Sequence, residues 1–148
     1  MTATRNDHRG LLRATVMTAA VALAVNFAIW AIATAISDVP DRFTALQPGS
    51  VAFFTTIGVA AAGGVFGLLR ARVADPAVTF RKLVPVALAV SLIPDVLIWT
   101  TDAYDGAASA ETVLPLMAMH VAAAAVAATL LPGLSSGMAP HTISRTEA

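Results

Sequence analysis

The amino-acid sequence predicts an all-α fold, a polytopic membrane protein built as a four-transmembrane-helix bundle, and three observations carry that expectation. Of the 148 residues, 57% are hydrophobic and 12% charged, against about 25% charged in a soluble domain, so a soluble fold of this size would lack the polar residues to cover its surface. The mean hydropathy of +0.77 is unevenly distributed, with apolar residues falling into four blocks separated by short polar connections. Each block approaches the roughly 20 residues that cross a hydrocarbon core of about 30 Å, about twice the length of a barrel strand. Because lipid offers no partner to backbone N–H and C=O groups, each block must close its own hydrogen bonds as a helix.

The first helix is expected over about 11–36, after a short N-terminal tail at 1–10. Arg13, Thr15, Thr18, Asn26 and Thr34 interrupt it. A cleavable signal peptide would share the basic leader of Arg5, Arg9 and Arg13 and the small residues Ala33-Thr34-Ala35. Its apolar region would be only about 7 to 15 residues long, however, and Ala14 to Trp30 already exceeds that, so a retained helix is expected. The second helix, about 50–71, follows the turn Gln47-Pro48-Gly49 with Ser50 as a suitable N-cap, and closes on Arg70 and Arg72, cations that suit a helix C-terminus and a membrane interface.

The third helix, about 80–101, carries Pro85, Pro94 and Asp95. An aspartate at the centre of a span costs about 2.5 to 3.5 kcal/mol on the insertion scale, while Leu, Ile and Val each return about 0.3 to 0.6 kcal/mol. Leu83, Val84, Val86, Leu88, Val90, Leu92, Ile93, Val96, Leu97 and Ile98 together outweigh the single carboxylate. The fourth helix, about 111–132, starts at Glu111, tolerates Pro115 in its first turn and is expected to stop at Pro132-Gly133, leaving a small, polar, disordered tail at 133–148. No internal repeat is visible.

Orientation follows from the basic residues. Arg5, Arg9, Arg13, Arg70, Arg72, Arg81, Lys82 and Arg145 fall on one side of a four-span threading and Arg42 alone on the other, which places the first side, and both termini, in the cytoplasm and the chain in the cell membrane. Asp38, Asp41, Asp102, Asp105 and Glu111 then lie outside. Trp30, Trp99 and Tyr104 lie toward the outer interface, where amphipathic rings settle.

Several classes of function are disfavoured. A net charge of zero provides no basic stripe for nucleic acid. The absence of cysteine removes disulfides, thiolate metal sites and cysteine nucleophiles. Met117 and Met119 flank His120 closely enough to suggest soft copper ligands, but they point to opposite sides of a helix, so no metal and no cofactor are expected. Neither a zincin helix, a phosphate-cradling glycine loop nor a nucleophile elbow occurs, and no enzyme is expected.

Polar groups inside a span are functional candidates because they are costly to place there. Asp95 and His120 lie roughly 9 to 13 Å inside the outer end of their helices at 1.5 Å per residue, and Asn26 comes close to the same level. Ser91 sits one turn below Asp95, and Pro94 frees the carbonyl of Val90 beside it. A bundle that gathered Asn26, Ser91, Asp95 and His120 would bind a cation or pass a proton, with the imidazole titrating near neutrality. The competing reading makes the same groups hydrogen-bonded ties between helices, worth about 0.6 to 2 kcal/mol each.

On the second helix, Gly63 and Gly67 form a G-x-x-x-G pair and Ala60 and Gly64 a parallel small pair, which let another helix approach closely. Ala123, Ala124, Ala127 and Ala128 smooth the fourth helix in the same way. Packing within the bundle is the expected use and a homo-oligomer the alternative. The lipid bilayer is the expected partner, with Arg70, Arg72, Arg81 and Lys82 within reach of anionic head groups.

Val25-Asn26, Leu46-Gln47-Pro48-Gly49-Ser50-Val51, Ser91-Leu92-Ile93-Pro94 and Met119-His120 are short motifs by which the chain, over about Leu11 to Leu131, resembles a family of short bacterial four-helix membrane proteins known as a domain of unknown function. The resemblance implies the architecture and carries no activity, ligand or catalytic residue. The expected role is structural or accessory, and the alternative is a small proton- or ion-coupled transporter using Asn26, Asp95 and His120. Two outcomes are expected from the sequence: the purified chain stays monodisperse only in detergent, and a C-terminal tag on intact cells is labelled by an impermeant reagent only after permeabilisation.

Overall fold

A computed structural model describes residues 2–101 and 104–136, with side chains from residue 8 to 135. Asp102, Arg145, the Arg5 side chain and most of the C-terminal tail, at 137–148, lie outside the described residues. The elements in order are α1 (Thr2–Ile36), a 3-10 turn (Thr44–Leu46), α2 (Pro48–Arg72), α3 (Pro76–Ser91), α4 (Ile93–Thr100) and α5 (Ala110–Ser136). No strand occurs among the described residues. Four helical stretches, His8–Ile36, Pro48–Arg72, Pro76–Thr100 and Ala110–Ser135, are long and apolar enough to cross a membrane, the third made of α3 and α4 in succession. The chain is a multi-pass helical membrane bundle.

Helix limits depart from expectation at several prolines and at Ser50. Most of the stretch 1–10, expected as a tail, belongs to α1, which begins at Thr2. Helix α2 begins at Pro48, whose fixed φ suits a first helical position, after an extended Gln47. Ser50 is therefore inside the helix, and its hydroxyl donates to the Thr44 carbonyl at 2.7 Å instead of capping. Helix α3 starts in the same way at Pro76, after Asp75.

At Pro94 the third span is divided into two helices. Leu92 (φ −81, ψ −12) separates α3 from α4, its N–H bonding the Leu88 carbonyl at 3.0 Å and its own carbonyl accepting from Val96 at 3.0 Å. Helix α5 begins at Ala110, so Pro115 falls in the second turn, and the helix continues through Pro132 and Gly133 to Ser136. Pro132 has no N–H to give the carbonyl of Ala128. Arg81 supplies a donor from outside, its Nε lying 3.5 Å from that oxygen.

Packing follows a period of four. Ala14, Thr18, Ala22 and Asn26 are buried on α1, and Val51, Thr55, Val59 and Gly63 on α2, so each helix turns one narrow stripe inward and leaves the rest to lipid. Two apolar clusters close the ends. Phe43, Leu46, Val51, Val113, Leu116 and Met119 form one, tied to α1 by Trp30 Nε1, which donates to the Leu46 carbonyl at 2.9 Å. Phe66, Phe80, Ala127 and Leu131 form the other, with the two phenyl rings edge to face at 5.2 Å. The third span is the least enclosed, 6% of its apolar window being buried against 28% for the second.

The two small-residue pairs on α2 part company. A Cβ at Gly63 would stand 2.5 Å from Thr15 Oγ1 and one at Gly67 2.7 Å from Leu11 Cδ2, so α1 runs close along this pair. A Cβ at Gly64 would meet nothing within 4 Å, and Ala60 is exposed. Gly63→Val should therefore destabilise the bundle by about 1 to 3 kcal/mol, as overpacking does, whereas Gly64→Ala should stay within about 0.5 kcal/mol of the parent. Unfolding in detergent, followed by helical circular dichroism, separates the two; equal losses would contradict the packing described.

Candidate functional site

The polar residues inside the bundle fall into separate pairs rather than one cluster. Asp95 lies in the first turn of α4, directly after the break at Leu92, where the partial positive charge of a helix start favours a carboxylate. It is 4% exposed. Its Oδ2 is 3.1 Å from Nδ1 of His120 on α5. That nitrogen is also 2.9 Å from the Leu116 carbonyl, an oxygen that can only accept, so the contact is a hydrogen bond in the tautomer with the proton on Nδ1. In that tautomer the proton is directed at the carbonyl, and Oδ2 has no aligned donor of its own. The Asp95–His120 approach is thus a close polar contact between α4 and α5 rather than a well-directed hydrogen bond. The imidazole is 36% exposed and forms the outer edge of the pair.

Asn26 belongs elsewhere. Its Nδ2 donates to Thr55 Oγ1 at 2.9 Å, joining α1 to α2, while its Oδ1 is buried without a donor. Ser91 turns to its own helix, its hydroxyl donating to the Leu88 carbonyl at 2.8 Å. Of the four residues singled out from the sequence, the structure brings Asp95 and His120 together, pairs Asn26 with a different partner and leaves Ser91 satisfied locally. Gly63 and Gly67 sit at the α1 contact, and Ala60 and Gly64 do not.

Sequence reasoning missed two participants. Thr55 accepts the amide of Asn26, and Thr18, fully buried on the same stripe of α1, has a hydroxyl without a partner. Spacing marks both: Thr55 precedes Gly63 by eight residues and Thr18 precedes Asn26 by eight, two helical turns that keep each pair on one face.

The arrangement suits holding helices together and storing a few unsatisfied acceptors; it has the form of a helical membrane bundle tied by intramembrane polar contacts. The chain belongs to a family of unknown function (DUF6069), whose family model matches residues 6–137. No curated protein and no solved structure matches it.

If the Asn26–Thr55 bond holds α1 to α2, a double-mutant cycle of Asn26→Leu and Thr55→Val should give a coupling between about 0.6 and 1.7 kcal/mol, the average and the maximum for such bonds in a membrane bundle. Strictly additive losses would remove the bond from the account.

Proposed function

We propose that this chain is a non-enzymatic structural or accessory protein of the cell membrane, with both termini in the cytoplasm, whose intramembrane polar residues tie its helices together. The observation that carries this reading is the separation of those residues into pairs: Asn26 bonds across to Thr55 at 2.9 Å, and His120 lies against Asp95 at 3.1 Å. An acid and a base are present, but neither lines the groove between α2, α3 and α5 or the one between α1 and α5. The orientation rests on Arg13, Arg70, Arg72, Arg81 and Lys82 lying toward one end and Asp38, Asp41, Asp105 and Glu111 toward the other. The bilayer is the partner of the many exposed Leu, Ile, Val and Phe side chains. The open small pair Ala60 and Gly64 suits a helix of a second copy.

One observation favours a second reading, a small proton- or ion-coupled transporter. Thr18 Oγ1, Asn26 Oδ1 and Asp95 Oδ2 are buried acceptors without donors, and unsatisfied polar atoms in hydrocarbon are expensive enough to mark ion paths.

Reconstitution into liposomes with an entrapped pH-sensitive dye separates the two readings. The structural reading expects the native chain and Asp95→Asn to dissipate an imposed pH gradient no faster than empty liposomes. Flux through the native chain that Asp95→Asn abolishes would replace it with the transporter.

A further inference from the structure

A groove of about 260 Å³ opens between α2, α3 and α5. It exists because small residues face each other there: Ala61 and Ala62 on α2, Ala123 and Ala124 on α5, with Phe80 and Leu88 marking its two ends on α3. Its lining is apolar throughout, so water gains nothing by entering. From Phe80 to Leu88 is about 12 Å at 1.5 Å per residue, close to the roughly 15 Å of one leaflet's hydrocarbon. The groove therefore occupies one leaflet and ends near mid-membrane.

A cation stands beside its Phe80 end: Arg81 follows Phe80 directly and is exposed. Arg81 is held over α5, its Nε reaching the Ala128 carbonyl one residue beyond Ala127, which also lines the groove. That contact uses one of five guanidinium donors, and the guanidinium fork suits a phosphate.

An apolar slot with a guanidinium beside one end matches a hydrocarbon chain attached to an anionic headgroup at the level of Arg81.

We infer that the α2–α3–α5 groove is a binding site for an anionic glycerophospholipid of the leaflet at the Arg81 end, one acyl chain lying along Ala61, Ala124 and Leu88 and its phosphate at the Arg81 guanidinium. The site needs only the membrane placement of the bundle and stands apart from the role of Asn26, Asp95 and His120. Basic pockets between membrane helices bind anionic lipids in this way.

The delipidated full chain in detergent is titrated with phosphatidylglycerol or phosphatidylcholine of identical acyl chains, and bound lipid is counted by native mass spectrometry. One phosphatidylglycerol is expected to bind at least tenfold more tightly than phosphatidylcholine, and soluble glycerol phosphate should not displace it. Arg81→Gln should abolish the preference. Ala61→Leu, which fills the groove, should weaken both lipids, and Ala28→Leu, on the exposed side of α1, should change neither. Equal binding of the two lipids by the native chain, displacement by glycerol phosphate, or a dimer in place of a lipid adduct would overturn the site.

A photoactivatable acyl chain on phosphatidylglycerol gives an answer without any variant. Crosslinks should map to 58–65, 80–88 and 123–127, and labelling spread evenly over the helices would overturn the proposal.

Discussion

A hydrocarbon medium cannot complete a hydrogen bond, and most of what distinguishes this bundle follows from where the chain breaks its own. Regular helix satisfies the backbone at no further cost, but Pro85, Pro94, Pro115 and Pro132 inside the spans each remove a donor. Pro94 is accommodated by ending one helix and starting another at Leu92, which keeps a right-handed conformation and bonds in both directions. Pro132 is accommodated from a neighbouring helix, Arg81 turning toward the Ala128 carbonyl. In both places the repair leaves a polar or charged side chain at a defined spot: Asp95 at the start of α4, and Arg81 over α5.

The same constraint explains why the polar side chains stay few and mostly paired. Serine and threonine hydroxyls facing outward bond their own helix, as Thr34, Thr56, Thr100 and Thr129 do. Asn26, which has more donors and acceptors than one helix turn can serve, reaches across to Thr55. Asp95 and His120 each bring one group that the other can face. The oxygens left over, on Thr18, Asn26, Asp95 and Ser135, lie on separate helices or separate turns.

Much of this is legible in the sequence, and the remainder is hidden for a definable reason. Counting residues from the ends of an apolar block measures depth, which is why the sequence alone sets Asp95 and His120 at one level. Rotation about the helix axis is not measured by that count. Asn26 sits near the same depth but faces Thr55, and Ser91, one turn from Asp95, gives its hydroxyl to Leu88. Gly63 and Gly64 are adjacent in sequence and about 100° apart on the helix, so one touches Thr15 and the other touches nothing. Helix ends mislead differently. Pro132 reads as a stop, whereas the helix runs through it to Ser136, and Arg81, 51 residues earlier in the chain, places a donor near the Ala128 carbonyl, a contact no local pattern announces.

The third span is where depth, rotation and backbone repair act on one element. It is the least enclosed of the four, yet it is fixed at two places: near one end Phe80 packs on Phe66 and Arg81 reaches α5, and further along Asp95 meets His120. The 14 residues from Arg81 to Asp95 correspond to about 21 Å of helix. Between those two fixed points nothing polar draws the span inward, and many of the facing residues of α2 and α5 are glycine and alanine, too short to fill the distance. A gap is the necessary result, and because the fixed point at its mouth is a guanidinium, the gap is apolar along its length and cationic at its entrance.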